Sequence, residues 1–357
     1  MHSTYTNMAQ QIAFNITPER QASKLQFLRR QFLGAPPPIS RDDVGLSGKT
    51  SIVTGANCGI GLECARQLLD LGIGKLIIAV RDESKGEAAC EALTALRQLE
   101  KGQTVEVWKL DYASYESIIA FARRLEGLKP QLNIAILNAG IDRGCFNIIP
   151  ATGWEEDLQT NYLSSILLML LLLQYFKKIQ SDPGADTFDP GRISLVSSDT
   201  AAWASFDERK KDPLLKAFNE EASWDQFNRY ATTKLLGQLF VAELAKHVSP
   251  SLATVNCVNP GLCHGSNISR DLSFIVTIVS RVSGRTSAAG ALAVIDAAAK
   301  QDERSHGQYV EDGEIRPMAP FVYSKEAEEV TQRLWKETLE ELSFAGVQDI
   351  VQSLAHA

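Results

Sequence analysis

Residues 51–61 carry the feature that most constrains the fold, a short apolar run followed by three closely spaced glycines. The run ends at Thr54, and the glycines are Gly55, Gly59 and Gly61, with apolar residues at helical spacing directly after them. In such a strand–turn–helix unit the glycines permit a tight turn, the approach of a pyrophosphate and the packing of the helix on the strand. The free N–H groups and the dipole at the start of the helix favour phosphate. The sequence therefore predicts a dinucleotide site here.

Composition excludes several classes of partner. The 357 residues are enough to bury a full core, and the net charge of −7 without a basic tract makes nucleic acid an unlikely partner. Six cysteines without a Cys-x-x-Cys pair and five scattered histidines predict no metal site. With no secretory leader recognised, the cysteines are expected to be reduced thiols of a cytoplasmic protein. The longest apolar run, 166–173, is far shorter than the roughly 20 residues of a membrane span.

Apolar strands alternate with helical stretches along most of the chain. Further strands are predicted at 76–80, 105–110, 134–137, 193–196 and 253–258, and helices at 83–100, 114–127, 154–179 and 227–247. Near-continuous apolar strands between helices predict a parallel sheet covered on both faces. The expected fold class is thus α/β, a single Rossmann-type doubly wound sheet with added helices at both ends of the chain.

Residues 1–43 are interpreted as an N-terminal extension, and residues 44–357 as the catalytic domain. Within the extension, 17–19 can start a helix that ends before the prolines at 36–38. Its apolar stripe is made of Leu25, Leu28 and Phe32. A membrane contact is possible for such a stripe, but its narrow width favours docking on the protein's own surface.

A second pattern, Tyr-x-x-x-Lys, opens the helix that follows the strand at 193–196. Positions four apart share a helix face, so Lys234 is expected beside the phenol of Tyr230. A free tyrosine has a pKa of about 10, and a neighbouring cation is expected to lower that pKa. Ser198, at the end of the adjacent strand, can bind a substrate oxygen beside Tyr230. Together with the glycine turn, these residues indicate an active site.

With these motifs in order, the sequence resembles the short-chain dehydrogenase/reductase family over about residues 47–312. Within the family it looks closest to retinol-dehydrogenase-like and fungal biosynthetic reductases. The resemblance implies that Tyr230 is general acid in reduction and base in oxidation. It also implies that Ser198 holds the substrate oxygen, that Lys234 binds the nicotinamide ribose and that Asn161 supports a proton-relay water. The cofactor-binding residues that it implies are Gly55, Asn57, Cys58, Gly59, Ile60, Gly61, Asp111, Asn138, Ala139, Gly140, Tyr230, Lys234, Pro260, Gly261 and Cys263.

The cofactor's 2′-phosphate has a candidate partner in Arg81, which stands 20 residues after Gly61. An arginine at that place accommodates the 2′-phosphate of NADP, whereas a carboxylate would serve NAD. Lys85 can add a second cation or remain a surface lysine, and Asp82 is expected to point away. NADP(H) is the predicted cofactor.

Three departures from the family pattern stand out. The interval from Ser198 to Tyr230 is long for the family and contains a charged run at 207–212, interpreted as a solvated insertion, with a substrate-facing flap as the alternative. After Pro260-Gly261, Gly265 stands where a hydroxyl residue is usual, and Ser266 follows it. A charged C-terminal helix near 324–343 lies outside the common core and is expected on the sheet edge or the substrate loop.

Residues 262–284 are predicted to form that substrate loop. Leu272, Ile275, Val279 and Val282 share one helical face. Packing on the protein's own core and lining of the substrate site are equally favoured for this face. Apolar lining would suit a lipophilic small molecule.

The leading functional hypothesis is an NADP-dependent ketone or aldehyde reductase, or the reverse alcohol dehydrogenase, placed in secondary metabolism by the resemblance. One alternative keeps the fold for non-redox dehydration, isomerisation or cyclisation. Another is a nucleotide-sensing binding protein. The oligomeric state is open between monomer and homodimer. Helices 154–179 and 227–247 often form the dimer interface in this family, but related members are monomers.

Overall fold

An eight-stranded sheet forms the centre of the computed structural model, which describes residues 14–95, 99–182, 188–264 and 284–354. The strands lie in the order β8-β7-β6-β5-β4-β1-β2-β3, all parallel except β8, which is antiparallel to β7. Their bounds are β1 Thr50–Thr54, β2 Lys75–Val80, β3 Thr104–Lys109, β4 Leu132–Leu137, β5 Gly191–Val196, β6 Ala253–Asn259, β7 Tyr309–Glu311 and β8 Glu314–Arg316. A separate two-stranded pair joins Cys263–His264 to Arg285–Thr286. The predicted fold class is confirmed.

Helices cover both faces of this sheet. The described helices are α1 Pro18–Gln21, α2 Lys24–Leu33, α3 Arg41–Val44, α4 Gly59–Asp70, α5 Glu83–Ala95, α6 Tyr115–Arg124, α7 Ser164–Gln180, α8 Gln226–Leu244, α9 Ser287–Ile295, α10 Ala327–Glu341 and α11 Val347–Leu354. Successive strand residues point to opposite faces, so Ile77 belongs to the larger apolar core with α6, α7 and α8, and Ile78 to the smaller core with α4 and α9. Each face of the sheet therefore has its own core.

The order of the strands fixes where a ligand can bind. The chain runs outward from β1 through β2 to β3 and then crosses to β4 on the other side of β1. Neighbouring connections leave β1 and β4 in opposite directions and open a crevice at their carboxyl ends, the usual ligand site of such sheets.

The helix predicted at 154–179 starts later than expected. A π-helical turn, Leu158–Leu163, leads into α7. By length and composition Leu158–Gln180 is able to cross a membrane, but 78% of its most apolar window is buried inside the fold. Burial against the sheet is the ordinary situation of an apolar core helix.

The charged run 207–212, interpreted as a solvated insertion, is exposed at Asp207, Lys210, Lys211 and Asp212, so the interpretation fails only at Glu208 and does not extend to the residues that follow the run. Glu208 is buried, and so is Phe218 further along. The carboxylate of Glu337 on α10 accepts hydrogen bonds from the backbone N–H groups of Leu214 and Leu215, at 2.8 and 2.7 Å. Residues 214–218 pack because α10 supplies both apolar cover and a carboxylate that accepts their backbone hydrogen bonds.

Both C-terminal helices lie on the helical layer. The first of them, predicted on the sheet edge or the substrate loop, does not lie on the sheet edge, and most of the substrate loop is outside the described residues. α10 packs against α8 and the insertion, and α11 packs against α7. Glu341 at the end of α10 accepts hydrogen bonds from Trp154 Nε1, at 2.6 Å, and from Tyr115 Oη, at 3.2 Å. These contacts cover the outer faces of the two central helices.

The N-terminal extension docks on the protein's own surface, but by an unexpected face. Leu25 and Phe32 are 79% and 60% exposed, so the predicted apolar stripe points outward. Contact is made instead by Phe27, whose ring meets Trp203 edge to face at 5.2 Å, and by Arg30. Polar contacts of the opposite face thus set the orientation of α2.

Most of the predicted substrate loop, 262–284, lies outside the described residues. Gly265, Ser266, Leu272, Ile275, Val279 and Val282 all fall there.

Candidate active site

The glycine turn between β1 and α4 is built as the sequence predicts. Gly55 and Gly59 have φ angles of 66° and 57°, in the left-handed region that favours glycine. A Cβ on Gly61 would lie 2.6 Å from both Asn138 Nδ2 and the Gly55 carbonyl oxygen, so only glycine fits. Cys58, the residue before α4, makes no side-chain cap hydrogen bond, which leaves the N–H groups of the helix start available to phosphate.

A cavity of about 320 Å³ opens at the carboxyl ends of β1 to β4. Eleven of the predicted cofactor residues line it: Gly55, Asn57, Cys58, Gly59, Ile60, Arg81, Lys85, Asp111, Asn138, Ala139 and Gly140. Sequence reasoning missed other lining residues, among them Thr54, Tyr112, Asp142, Arg143, Glu156 and Thr160. The cavity lies at the strand ends where sheets of this type bind ligands.

Thr54 ties the two central strands together at the cavity floor. Its hydroxyl oxygen accepts a hydrogen bond from the Ala139 backbone N–H at 2.9 Å. Its carbonyl oxygen accepts another from Asn138 Nδ2, also at 2.9 Å. The Asn-Ala-Gly segment and the glycine turn are therefore held as one rigid unit.

At the far end of the cavity Arg81 makes no ion pair with another described residue. Lys85, in contrast, pairs with Asp82, Nζ to Oδ2 at 3.3 Å. Asp82 also accepts a hydrogen bond from the Lys85 backbone N–H, which with the lysine side chain lowers the pKa of Asp82. Asp82 is among the residues around the cavity, and its carboxylate binds the backbone N–H and the ammonium group of Lys85 at the start of α5.

Asp111 follows β3 at the cavity wall. Its Oδ1 accepts a hydrogen bond from the Ala113 backbone N–H at 3.0 Å, and its own backbone N–H donates to Ser117 Oγ at 2.9 Å. This turn gives the end of β3 a defined position beside the cavity.

Ser197 and Ser198 face different surroundings, as adjacent residues at a strand end should. Ser197 is buried, and its Oγ accepts a hydrogen bond from Gln238 Nε2 at 3.0 Å. Ser198 is partly exposed, and its hydroxyl lies close enough to the phenol of Tyr230 to lower the pKa of that phenol. Its Oγ also accepts from the Thr200 hydroxyl at 3.0 Å. Ser198 is thus the serine that the fold brings to Tyr230.

The pKa of Tyr230 is raised well above its ordinary value, and this contradicts the expectation of a lowered pKa. Burial is the main cause, the nearby carboxylate of Asp142 is the next, and the Ser198 hydroxyl opposes both. Lys234 has little effect because burial lowers its own pKa to about 8 and its Nζ lies 5.5 Å from the centre of the Tyr230 ring. The raised pKa means that the phenol stays protonated near neutral pH.

Asn161 lies in the π-helical turn before α7, a type of turn frequent at functional sites. Its side chain grips the backbone of Ile141: Nδ2 donates to the carbonyl oxygen at 2.9 Å, and Oδ1 accepts from the N–H at 2.8 Å. A Cβ on Gly140 would lie 3.1 Å from Asn161 Oδ1 and 3.4 Å from Lys234 Nζ. Asn161 and Lys234 therefore meet beside Gly140 of the cavity wall, although neither they nor Ser198 and Tyr230 are among the residues that line the cavity.

The remaining predicted residues follow β6, two strands away from β4. Gly261 has φ 75°, and its N–H donates to Asn259 Oδ1 at 3.0 Å. Cys263 is buried beside the Pro260 carbonyl, and burial raises the pKa of its thiol to about 12. These residues do not line the 320 Å³ cavity: they follow the end of β6, and β5 lies between β6 and the cavity strand β4. Within the described ranges no group of three His, Cys, Asp or Glu side chains is placed to hold a metal ion.

Comparison with known proteins agrees with this geometry. The family model for short chain dehydrogenases matches residues 49–203. Short-chain dehydrogenase fogG of Aspergillus ruber is 46% identical over 352 residues, covering 96% of this chain and 99% of that protein. Short chain dehydrogenase/reductase mfmJ of Annulohypoxylon moriforme is 39% identical over 335 residues, covering 92% and 94%.

Solved structures share the fold. An uncharacterized protein from Mycobacterium paratuberculosis matches with a TM-score of 0.60 and 24% identity, covering 86% of this chain and 98% of that one. A short chain dehydrogenase from Shigella flexneri, complexed with NADP, matches with a TM-score of 0.54 and 19% identity, covering 75% and 98%.

Proposed function

This chain belongs to the short-chain dehydrogenase family, and on that premise we propose that it is an NADP-dependent oxidoreductase that interconverts a carbonyl and an alcohol on a lipophilic small molecule. The observation that carries the proposal is the grouping of Ser198 and Tyr230 with Lys234, whose Nζ lies 5.5 Å from the centre of the Tyr230 ring and also beside Gly140 of the cavity wall. The resemblance to fungal biosynthetic reductases extends the proposal to a role in secondary metabolism, in the cytoplasm.

The residues around the cavity suit a dinucleotide. The uncapped start of α4 and the left-handed glycines would hold the pyrophosphate, and Asp111 would meet the adenine. Arg81, which has no ion-pair partner among the described residues, would bind the 2′-phosphate through two parallel hydrogen bonds between opposite charges. When bound, the nicotinamide supplies or accepts the hydride.

In reduction, the hydroxyls of Ser198 and Tyr230 would bind the carbonyl oxygen and Tyr230 would give it a proton. The raised pKa keeps the Tyr230 phenol protonated until negative charge develops on that oxygen, which suits a general acid. Lys234 and Asn161, both beside Gly140, would hold the ribose and the water through which the proton is replaced.

Support for a lipophilic substrate comes from aromatic rings on either side of this pair. Trp203 follows Ser198 by one short helical segment, and Phe227 precedes Tyr230 by one turn of α8. Their rings stack with centroids 6.5 Å apart at an interplanar angle of 20°, and Phe227 is half exposed. A half-exposed aromatic ring on the helix that carries Tyr230 suits a lipophilic carbonyl compound.

The test is turnover of a panel of lipophilic carbonyl compounds with NADPH, with cofactor consumption and product measured together. Equal amounts of oxidised cofactor and product support the proposal. Product without cofactor consumption would replace it with dehydration, isomerisation or cyclisation. Tight NADPH binding without any product across the panel would favour a nucleotide-sensing role.

A further inference from the structure

The N-terminal helix α2 reaches the loop that carries Ser198. Arg30 NH2 forms an ion pair with Asp199 Oδ1 at 2.5 Å, and Asp199 is the residue directly after Ser198. Both side chains are only 12% exposed. The same loop is held a second time, because Trp203 Nε1 donates to the Ala22 carbonyl oxygen at 2.7 Å.

Arg30 also reaches the loop after β6. Its Nε lies 2.9 Å from Glu311 Oε2, on a side chain that is 3% exposed. Glu311 Oε1 in turn accepts a hydrogen bond from Asn259 Nδ2 at 2.5 Å, and Asn259 Oδ1 accepts one from the Gly261 N–H. One guanidinium therefore connects the Ser198 loop to the Pro260-Gly261 turn.

The neighbouring groups on α2 strengthen this connection. Gln31 exchanges two hydrogen bonds with the Leu262 backbone, Nε2 to the carbonyl oxygen at 2.8 Å and N–H to Oε1 at 3.2 Å. The Arg30 carbonyl oxygen accepts from Arg285 NH2 at 2.9 Å, and Arg285 pairs with Asp312. The helix is thus anchored on both sides of the site.

We propose that Arg30, a residue of the N-terminal extension, is a positioning residue for the reaction: it holds the Ser198 loop and the Pro260-Gly261 turn in register through Asp199 and Glu311. This inference rests on the proposed function, since it concerns the rate of that chemistry. The physical reason is charge. Without the guanidinium, the mostly buried Asp199 carboxylate loses its partner, and once Glu311 ionises the two carboxylates repel each other and push the two loops apart.

The consequence depends on pH. Glu311 lies among titratable and charged groups from five places in the fold: the N-terminal segment, the loop after β5, β7, the turn after β7 and the separate two-stranded pair. They are Arg30, Asp199, Tyr309, Asp312 and Arg285 respectively. Burial and Asp199 already raise the pKa of Glu311 to about 8, against the opposing effect of Arg30. Removing Arg30 raises this pKa further, so the two carboxylates repel each other only as the pH rises.

The experiment compares Arg30→Met with the wild type and with Arg29→Gln, a matched control on the exposed face of α2. We expect kcat of Arg30→Met to fall by roughly 10- to 100-fold, the scale of a misplacement of about 1 Å. KM for the carbonyl compound should change little, and the loss should deepen as the pH rises. Arg30→Met/Glu311→Gln should recover activity and lose the added pH dependence, which a purely structural role would not produce.

Arg30→Lys serves if Arg30→Met does not fold, because it keeps the charge but cannot reach both carboxylates with separate nitrogens. It should lose activity while folding normally. Wild-type kcat and pH profile in whichever of these two variants folds would overturn the role of Arg30 alone. A wild-type protein that turns over no carbonyl compound would overturn the proposed function instead.

Discussion

The ammonium group of Lys234 donates a hydrogen bond to the carbonyl oxygen of Val196 at 2.9 Å. Val196 is the last residue of β5, and the two serines follow it. Lys234, in the third turn of α8, therefore fixes this helix against the end of the strand that delivers Ser198. The contact explains how Tyr230 and Ser198 meet, although 32 positions separate them in the sequence.

Replacing Tyr230 by Phe tests the proton donor. We expect turnover to fall by about 100- to 10,000-fold, the usual effect of losing general acid–base catalysis. NADPH affinity should stay near that of the wild type, since the glycine turn and Lys234 remain. Steady-state kinetics and a fluorescence titration of NADPH measure the two effects. A variant that keeps more than a tenth of the rate, with chemistry rate-limiting, would contradict the assignment.

The two adjacent serines give a matched pair. Ser198→Ala removes the hydroxyl beside Tyr230 and should lower kcat strongly. Ser197→Ala removes only an acceptor for Gln238 and should lower the stability of the fold more than the rate. Parallel kinetics and thermal unfolding separate the effects, and the reverse ranking would move the catalytic role to Ser197.

The lowered pKa of Lys234 predicts that activity declines on the alkaline side of the pH profile. Burial lowers this pKa from 10.5 to about 8, so the charge is lost as the pH rises through about 8. We expect kcat/KM for reduction to decline there. Folding does not weaken with it: the unfolded lysine binds more protons between these two values, so this group makes the fold more stable as the pH rises.

Lys234→Arg is the control for that decline, because arginine keeps its charge throughout the range. Its rate should be lower, but the decline near pH 8 should be absent. A wild-type profile that stays flat through the alkaline range would show that the charge of Lys234 does not limit turnover.

Cofactor choice is tested at Arg81. Arg81→Ala should weaken NADPH by roughly 10- to 150-fold, the equivalent of about 1.5–3 kcal/mol for charged hydrogen bonds, and should leave NADH nearly unchanged. Lys85→Ala should have a smaller effect, since Lys85 is paired with Asp82. Titration of both cofactors measures this. Equal losses for NADPH and NADH would remove Arg81 from the phosphate site.

The insertion after Ser198 is expected to depend on α10. Glu337→Gln weakens the two hydrogen bonds to Leu214 and Leu215 and should lower the free energy of unfolding by about 1–2 kcal/mol. Glu329→Gln, on an exposed position of the same helix, is the matched control. Urea unfolding gives both values; equal stability in the two variants would mean that Glu337 contributes no net stabilisation.

Local sequence patterns were enough to predict the central sheet. β1, β2, β4 and β5 are short apolar runs bounded by turn residues, and each lies within two residues of its predicted bounds. β7 and β8 escaped detection because each has three residues and one of them ends in the buried Glu311. The buried charge of Glu311 is explained only by Arg30, which lies beside it in the fold although the two residues are far apart in the sequence.

The properties that could not be predicted depend on burial by distant segments. The raised pKa of Tyr230 arises from the surrounding fold and from Asp142, neither of which the Tyr-x-x-x-Lys spacing indicates. Likewise, the packing of the insertion follows from acceptors on α10, more than 120 positions away. Spacing brought Tyr230 and Lys234 to one helix near Ser198, but the electrostatics of these side chains depend on the whole chain.

The cover that α10 and α11 provide over α8 and α7 has an evolutionary consequence. In a dimer that pairs through these helices, a residue change on one face must suit an identical copy of itself. Here the facing residues belong to the C-terminal segment of the same chain, as when Tyr162 on the π-helical turn hydrogen-bonds to Thr338 on α10 at 2.7 Å. Substitutions on the central helices are therefore free to break self-complementarity, provided that the tail changes with them.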